Sequence, residues 1–347
     1  MSRKLALVVT AVVAASLNAS CTSKQSRSAA TTPPAIASSS SATGSASTEN
    51  PARPVSSGNV LTPADAKKVV EAYGDNNNKS NAAHDSAMQA EYQRDSARAI
   101  STANYNIARR VGLPAYDPFT FDATRVFVPR QTTYPAVFVA ATHFKVAGKP
   151  ASKKTLLYLF RSDSADDAWR VSSWAYVPEG AEPPKFDVDS DGYIQQLDPT
   201  SMSITTEKLT EVWLAALSAS YSARPLSTAW TPTAALKEMP YPPKKHIRLD
   251  HTFSRGSYDL VCVATSGGAL CFVSATWSRR LSVDGGYALS VTSPEAQASN
   301  GGIAAGKYSN ISVTLLHNAA IEVARISGRG SLRLHAYDAQ PISGIAR

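Results

Sequence analysis

From Leu61 onward the apolar positions recur first at helical spacing and then at strand spacing, and the switch happens twice. Leu61-Thr62-Pro63-Ala64-Asp65 reads as a helix start. Thr62 can cap, Pro63 suits a first turn whose N–H has no partner to lose, and Asp65 favours the positive helix end. Ala66, Val69, Val70 and Tyr73 then share one face. Gly74 predicts the end of this helix, and the polar run 75–81 predicts a turn. A second helical stretch of broken amphipathicity covers 83–110 and is ended by Gly112 and Pro114. The period then changes to two, with strands expected at 124–128, 136–146, 155–161 and 169–177.

The same order returns after Asp198. Thr205 and Thr206 precede Leu209, Val212, Trp213, Ala216 and Leu217, an i, i+3, i+4, i+7, i+8 face cleaner than that of the first helix. A Pro-rich stretch, 225–243, separates it from strands expected at 248–253, 258–264, 270–277, 287–291, 311–316 and 331–337. Helices followed by antiparallel strands define an α+β class. The reading is two successive helix-then-antiparallel-sheet modules, 61–198 and 199–347. Its alternative is one continuous domain with a shared sheet.

The N-terminus has another character. Arg3 and Lys4 precede an apolar and small run from Leu5 to Leu17, then Asn18-Ala19-Ser20-Cys21. This is the layout of a secretory signal. Its apolar run is short of the about 20 residues that a membrane-spanning helix needs. Small residues directly before a cysteine resemble a bacterial lipobox, although Asn18 stands where an aliphatic residue is usual. The expectation is a signal over 1–20, diacylglycerol on Cys21 and a protein held on the outer face of the cell membrane by two acyl chains. Ordinary cleavage near Ala19 is the alternative. Residues 21–60, rich in Ser, Ala, Thr and Pro, cannot bury enough apolar surface to offset ordering entropy and read as a disordered tether. Its reach is roughly 35 Å.

Charge narrows the partners. The chain has 35 Lys and Arg against 27 Asp and Glu, a formal +8, with basic residues no denser than pairs. Nucleic-acid binders show a basic patch with a recognition fold, and no such pattern exists here, so nucleic acid is not an expected partner. The milder inference is attraction to an anionic envelope surface.

Of three cysteines, Cys262 and Cys271 belong to the body. The runs around them read as two strands joined by Thr265-Ser266-Gly267-Gly268, which sets Cys262 directly opposite Cys271. Directly opposed Cβ atoms lie about 4.5–5.5 Å apart, so a disulfide requires the strands to pinch. Two buried thiols are the alternative.

The sharpest chemical motif is Asp187-Val188-Asp189-Ser190-Asp191-Gly192, followed by Ile194 and Asp198. Acids at loop positions 1, 3, 5 and 12 with glycine at 6 match calcium-loop spacing, because alternate carboxylates supply several oxygens to one hard cation. Pro178, Pro183 and Pro184 preclude a regular entering helix and Pro199 disturbs the exit, so the competing reading is an acidic turn. The histidines offer less. His246 and His251 point to opposite faces of a strand, and His317 and His335 fall on neighbouring strands with no acid indicated. There is no nucleophile-elbow glycine pattern and no phosphate loop.

Asn76-Asn77, Asn81, Glu91, Ser101 and Tyr105, then Pro118-Phe119-Thr120-Phe121, Phe127-Val128-Pro129-Arg130 and Tyr134-Pro135, are similar to a family of actinobacterial lipoproteins. Thr265-Ser266-Gly267-Gly268-Ala269-Leu270, Ile311-Ser312-Val313-Thr314 and Gly330-Ser331-Leu332-Arg333 fit the later part. The resemblance implies a lipid anchor on Cys21 and folds of the nuclear-transport-factor-2 or cystatin-like type, in which a helix crosses a curved sheet and encloses a cone-shaped pocket. It implies no particular chemistry. The resulting expectation is an anchored, non-catalytic protein that binds a small ligand or an envelope protein. The alternative is a hydrolase-type enzyme with an acid or histidine inside such a pocket.

Overall fold

The computed structural model describes residues 58–222, 227, 229–231, 233–235, 246–284, 287–325 and 332–347. The signal, Cys21, the tether as far as residue 57 and most of the Pro-rich stretch lie outside the described residues.

Helix α1, Pro63–Ala83, starts as its sequence dictates, with the Thr62 hydroxyl accepting from the Asp65 N–H. It does not stop at Gly74. The asparagines that read as a turn are held in the helix by tertiary partners. Asn78 donates to the Phe119 carbonyl at 2.6 Å and accepts from the Phe119 N–H at 3.1 Å. Gln89 donates to Asn77, and the Tyr105 hydroxyl donates to Asn81 at 2.6 Å. Gly74 lets the Phe121 ring come within 3.1 Å of where a Cβ would stand. The second stretch divides into α2, Ser86–Tyr92, and α3, Asp95–Val111, because Arg94 turns out of the helix to donate its N–H to the Val171 carbonyl. Ser80, Gln89, Tyr92 and Tyr105 close a buried hydroxyl and amide hub between the three helices.

Strands β1 (Phe119–Pro129), β2 (Ala136–Val146), β3 (Thr155–Ser162) and β4 (Arg170–Val177) form an antiparallel meander. The chain then returns across the sheet to β5, Tyr193–Ile194, which lies parallel beside β1. Helix α4, Thr206–Tyr221, follows a Thr205 cap and buries Leu209, Trp213, Ala216 and Leu217 as the pattern requires. Next come β6 (Ile247–Arg255), β7 (Val261–Ala264) and β8 (Gly268–Val283). After β9 (Leu289–Val291), α5 (Pro294–Ser299) and β10 (Gly306–Tyr308), the chain ends in β11 (Asn310–Ala324) and β12 (Leu332–Ala346).

The strands of both stretches join one ten-stranded, mostly antiparallel sheet in the order β5-β1-β2-β3-β4-β12-β11-β8-β6, with β7 also on β8. At the seam, β4 meets β12 through the single pair Tyr176–Tyr337. Helices α1 to α3 cover one core built on Phe138, Tyr158 and Phe160, and α4 covers another built on Trp213, Val273 and Ile321. A third core joins Phe127, Leu157 and Leu159 to Leu270, Phe272 and Ala336, so residues from both ends of the sheet pack together. The sheet is therefore curled. Residues 178–192 form a strap over this core, with Phe186 stacked on Phe127 at 3.9 Å and the Lys185 carbonyl accepting from the Ser266 N–H.

Candidate functional site

Cys262 and Cys271 pair in register and are joined by a disulfide, with Cα atoms 4.0 Å apart. The strands pinch, as a directly opposed pair demands. Upstream, the strand expected from 258 begins only at Val261, because β6 and β7 use successive parts of the same neighbour, β8, and 256–260 bulges between them. Gly256 makes the break possible: a Cβ there would sit 2.2 Å from the Ser274 hydroxyl.

That bulge forms one wall of a cleft of about 460 Å³. Asp259, Leu260, Val261 and Cys262 come from the bulge and β7, Arg255 from the end of β6 and Thr206 from the first turn of α4. The opposite wall is Pro135, Val137 and Arg161, the last two direct cross-strand partners on β2 and β3. Arg161 bridges the walls. Its Nε meets Asp163 at 2.7 Å and its Nη1 meets Asp259 at 3.2 Å. Burial alone would raise the Asp163 carboxyl, but hydrogen bonds from Arg94 and Arg161 outweigh it and hold the group below its usual value. Glu207, beside Thr206, is held low by its own backbone N–H and then by the Thr205 and Thr206 hydroxyls, and it also feels Arg255.

A second cleft, of about 450 Å³, lies between the strap and β1, with Arg125, Phe127 and Phe186 in its lining. Near it is a carboxylate–histidine pair that sequence reasoning missed. Glu322 on β11 accepts from the Thr265 hydroxyl at 2.8 Å and lies 3.1 Å from His335 Nε2 on β12. A bulge in the β11–β12 pairing brings these side chains together, and no short-range spacing signals it. The other ring nitrogen of His335 is 3.3 Å from the Glu182 carbonyl on the strap. Desolvation would raise the Glu322 carboxyl; the His335 and Thr265 hydrogen bonds prevail and lower it. Every polar atom of the pair has a structural neighbour, and neither residue lines either cleft.

The acidic loop does not gather its four carboxylates on one point. Arg130 reaches Asp189 at 2.8 Å and Asp191 at 2.6 Å, so a guanidinium lies against two of them. Asp187 accepts from Ser266, and Asp198 caps the short turn Pro199–Ser201. Among the described residues no group of three or more His, Cys, Asp and Glu could hold a metal ion. His251 accepts from the Trp277 indole at 3.1 Å, and burial followed by Arg279 lowers its pKa. His317, enclosed by Trp213 and Tyr337, is pushed down to about 4 by burial.

The fold and its sites define a curled-sheet α+β protein with a cleft walled by two distant parts of one sheet. The chain belongs to the family described as a domain of unknown function (DUF8094), whose model matches residues 57–343. It is 25% identical over 147 residues to an uncharacterized lipoprotein of Streptomyces coelicolor. That match covers 42% of this chain and 43% of the relative, so the chain spans less than half of the relative's length. Both findings agree with the family resemblance drawn from the sequence. No solved structure matches, and no helix among the described residues is long and apolar enough to cross a membrane.

Proposed function

We propose that this is an exported protein, anchored by lipid on Cys21 to the outer face of the cell membrane, which binds a small ligand or an envelope partner in the Arg161–Arg255 cleft without catalysis. The observation that carries the binding reading is the cleft, where side chains from β2, β3, α4, β6 and β7 converge. The anchor is supported by Leu17-Asn18-Ala19-Ser20-Cys21 and by the relative described as a lipoprotein. In this reading 1–20 is the removed signal and 21–60 the tether. Residues 61–198 and 199–347 are two modules of the nuclear-transport-factor-2 or cystatin-like type. The near-mirrored strand order, β1-β2-β3-β4 against β12-β11-β8-β6, supports that division. Calcium has no part in it, since Arg130 supplies positive charge to Asp189 and Asp191.

A hydrolase-type enzyme is the second reading, favoured by the Glu322–His335 pair. It requires substrate access to groups that already fasten the strap and the hairpin turn.

Detergent phase partition tests the anchor. The native product should enter the detergent phase and a Cys21→Ala variant the aqueous phase; two aqueous products would refute it. A photocrosslinker at Leu260 tests the cleft in cells. It should capture a ligand or partner that the same probe at exposed Lys68 does not, and equal capture at both positions would refute the binding role.

A further inference from the structure

We infer that the cleft takes a small amphipathic monoanion, a carboxylate on an apolar body; this rests on reading the cleft as the binding site. The lining holds two guanidiniums, Arg161 and Arg255, against one carboxylate, Asp259. Their environments differ. Arg161 is largely buried, at 16% side-chain exposure, and is fixed from behind by Asp163. Asp259 is 79% exposed. An ion pair to so solvated a partner contributes little, so a ligand carboxylate can replace Asp259 on Arg161 at small cost. Arg255, at the opposite wall, is within the field of Glu207 and has no salt bridge among the described residues. A carboxylate on Arg161 gains charge-assisted hydrogen bonds from a guanidinium that Asp163 already orients, and Arg255 adds a second cation to the same lining.

The remaining surface sets the other half of the ligand. Pro135, Val137, Leu260 and Val261 present apolar side chains beside the arginines, and their coverage by an apolar body removes area from water at about 25 cal/mol per Å². A cation would face two guanidiniums. A neutral apolar molecule would leave both unused.

The test uses the folded chain with three soluble probes of equal length, hexanoate, hexanol and hexylamine, read by backbone amide shifts at 206 and 260–262. Hexanoate should shift these amides saturably, and binding should weaken as salt rises. Arg255→Gln, an exposed change, should raise its Kd at least tenfold, and Asp259→Asn, which removes the competing carboxylate, should lower it. Equal or tighter binding of hexanol or hexylamine, or weaker hexanoate binding to Asp259→Asn, overturns the anion assignment while leaving the cleft as a binding site. No saturable shift with any probe overturns the monoanion assignment, whereas the binding role itself falls only with equal capture at Leu260 and Lys68.

Discussion

Asp338 is the clearest case of a residue whose surroundings set its chemistry. Ser274, Asn318 and Asp338 stand directly opposite one another on β8, β11 and β12, and all three are buried. Gln340 donates to one Asp338 oxygen at 2.9 Å. Burial raises its pKa to about 6, against the opposing hydrogen bonds of Gln340 and Trp174. A folded-state value above the unfolded one means that the folded state holds the proton more tightly. The stabilisation is full below about pH 4 and is lost as pH rises through about 6. From 3.8 to about 6, at roughly 1.4 kcal/mol per pH unit, that is about 3 kcal/mol. An Asp338→Asn variant should therefore gain melting temperature relative to the native protein between pH 4 and 7. Melts across pH 3.5–8 check this, and parallel curves for the two proteins would reject the assignment. Neither the burial nor the opposed positions can be read from Tyr337-Asp338-Ala339 alone, because both come from strands tens of residues away.

Among elements, α1 shows how tertiary contacts overrule propensity. Glycine and asparagine weaken a helix when nothing compensates, so 74–81 reads as a turn. In the folded chain Asn78 closes a two-hydrogen-bond contact with the Phe119 backbone, and Asn77 and Asn81 serve the polar hub. Removal of the Asn78 amide leaves the Phe119 N–H and carbonyl unpaired, which costs about 1–3 kcal/mol. Asn78→Ala should lose that much in urea unfolding, with faster hydrogen exchange at Phe119. An unchanged protein would show that the last two turns of α1 hold without this contact. Elements whose pattern is purely local agree with the sequence more closely. Strand β2 has its expected bounds, the α4 face is buried as expected, and the hairpin that pairs Cys262 with Cys271 has its expected register.

For the molecule as a whole, the core shared by β1, β3, β8 and β12 decides how the two stretches relate. Leu157 and Leu159 lie against a cluster that includes Leu270, Phe272 and Ala320, all of them buried. Division of the chain at 198 would expose this surface on both pieces. A fragment of residues 58–198 should bind a hydrophobic dye and melt without a sharp transition, whereas the full chain should unfold in one step. A fragment that melts sharply without dye binding would mean that the first stretch folds by itself. The Ser266–Lys185 bond of the strap, the Arg161–Asp259 contact and the approach of His335 to the Glu182 carbonyl all cross between the stretches, so the cleft exists only in the assembled molecule.

Legible in the chain alone is whatever depends on neighbours within a few positions. The periods of 3.6 and 2, the Thr62 and Thr205 caps and the four-residue turn that faces Cys262 with Cys271 are of this kind. Tertiary structure alone decided the continuation of α1 through its asparagines, the union of the strands in one curled sheet and the meeting of Arg161 with Asp259. Those outcomes depend on pairing and burial between residues far apart in the chain, and such partners leave no mark at short spacing.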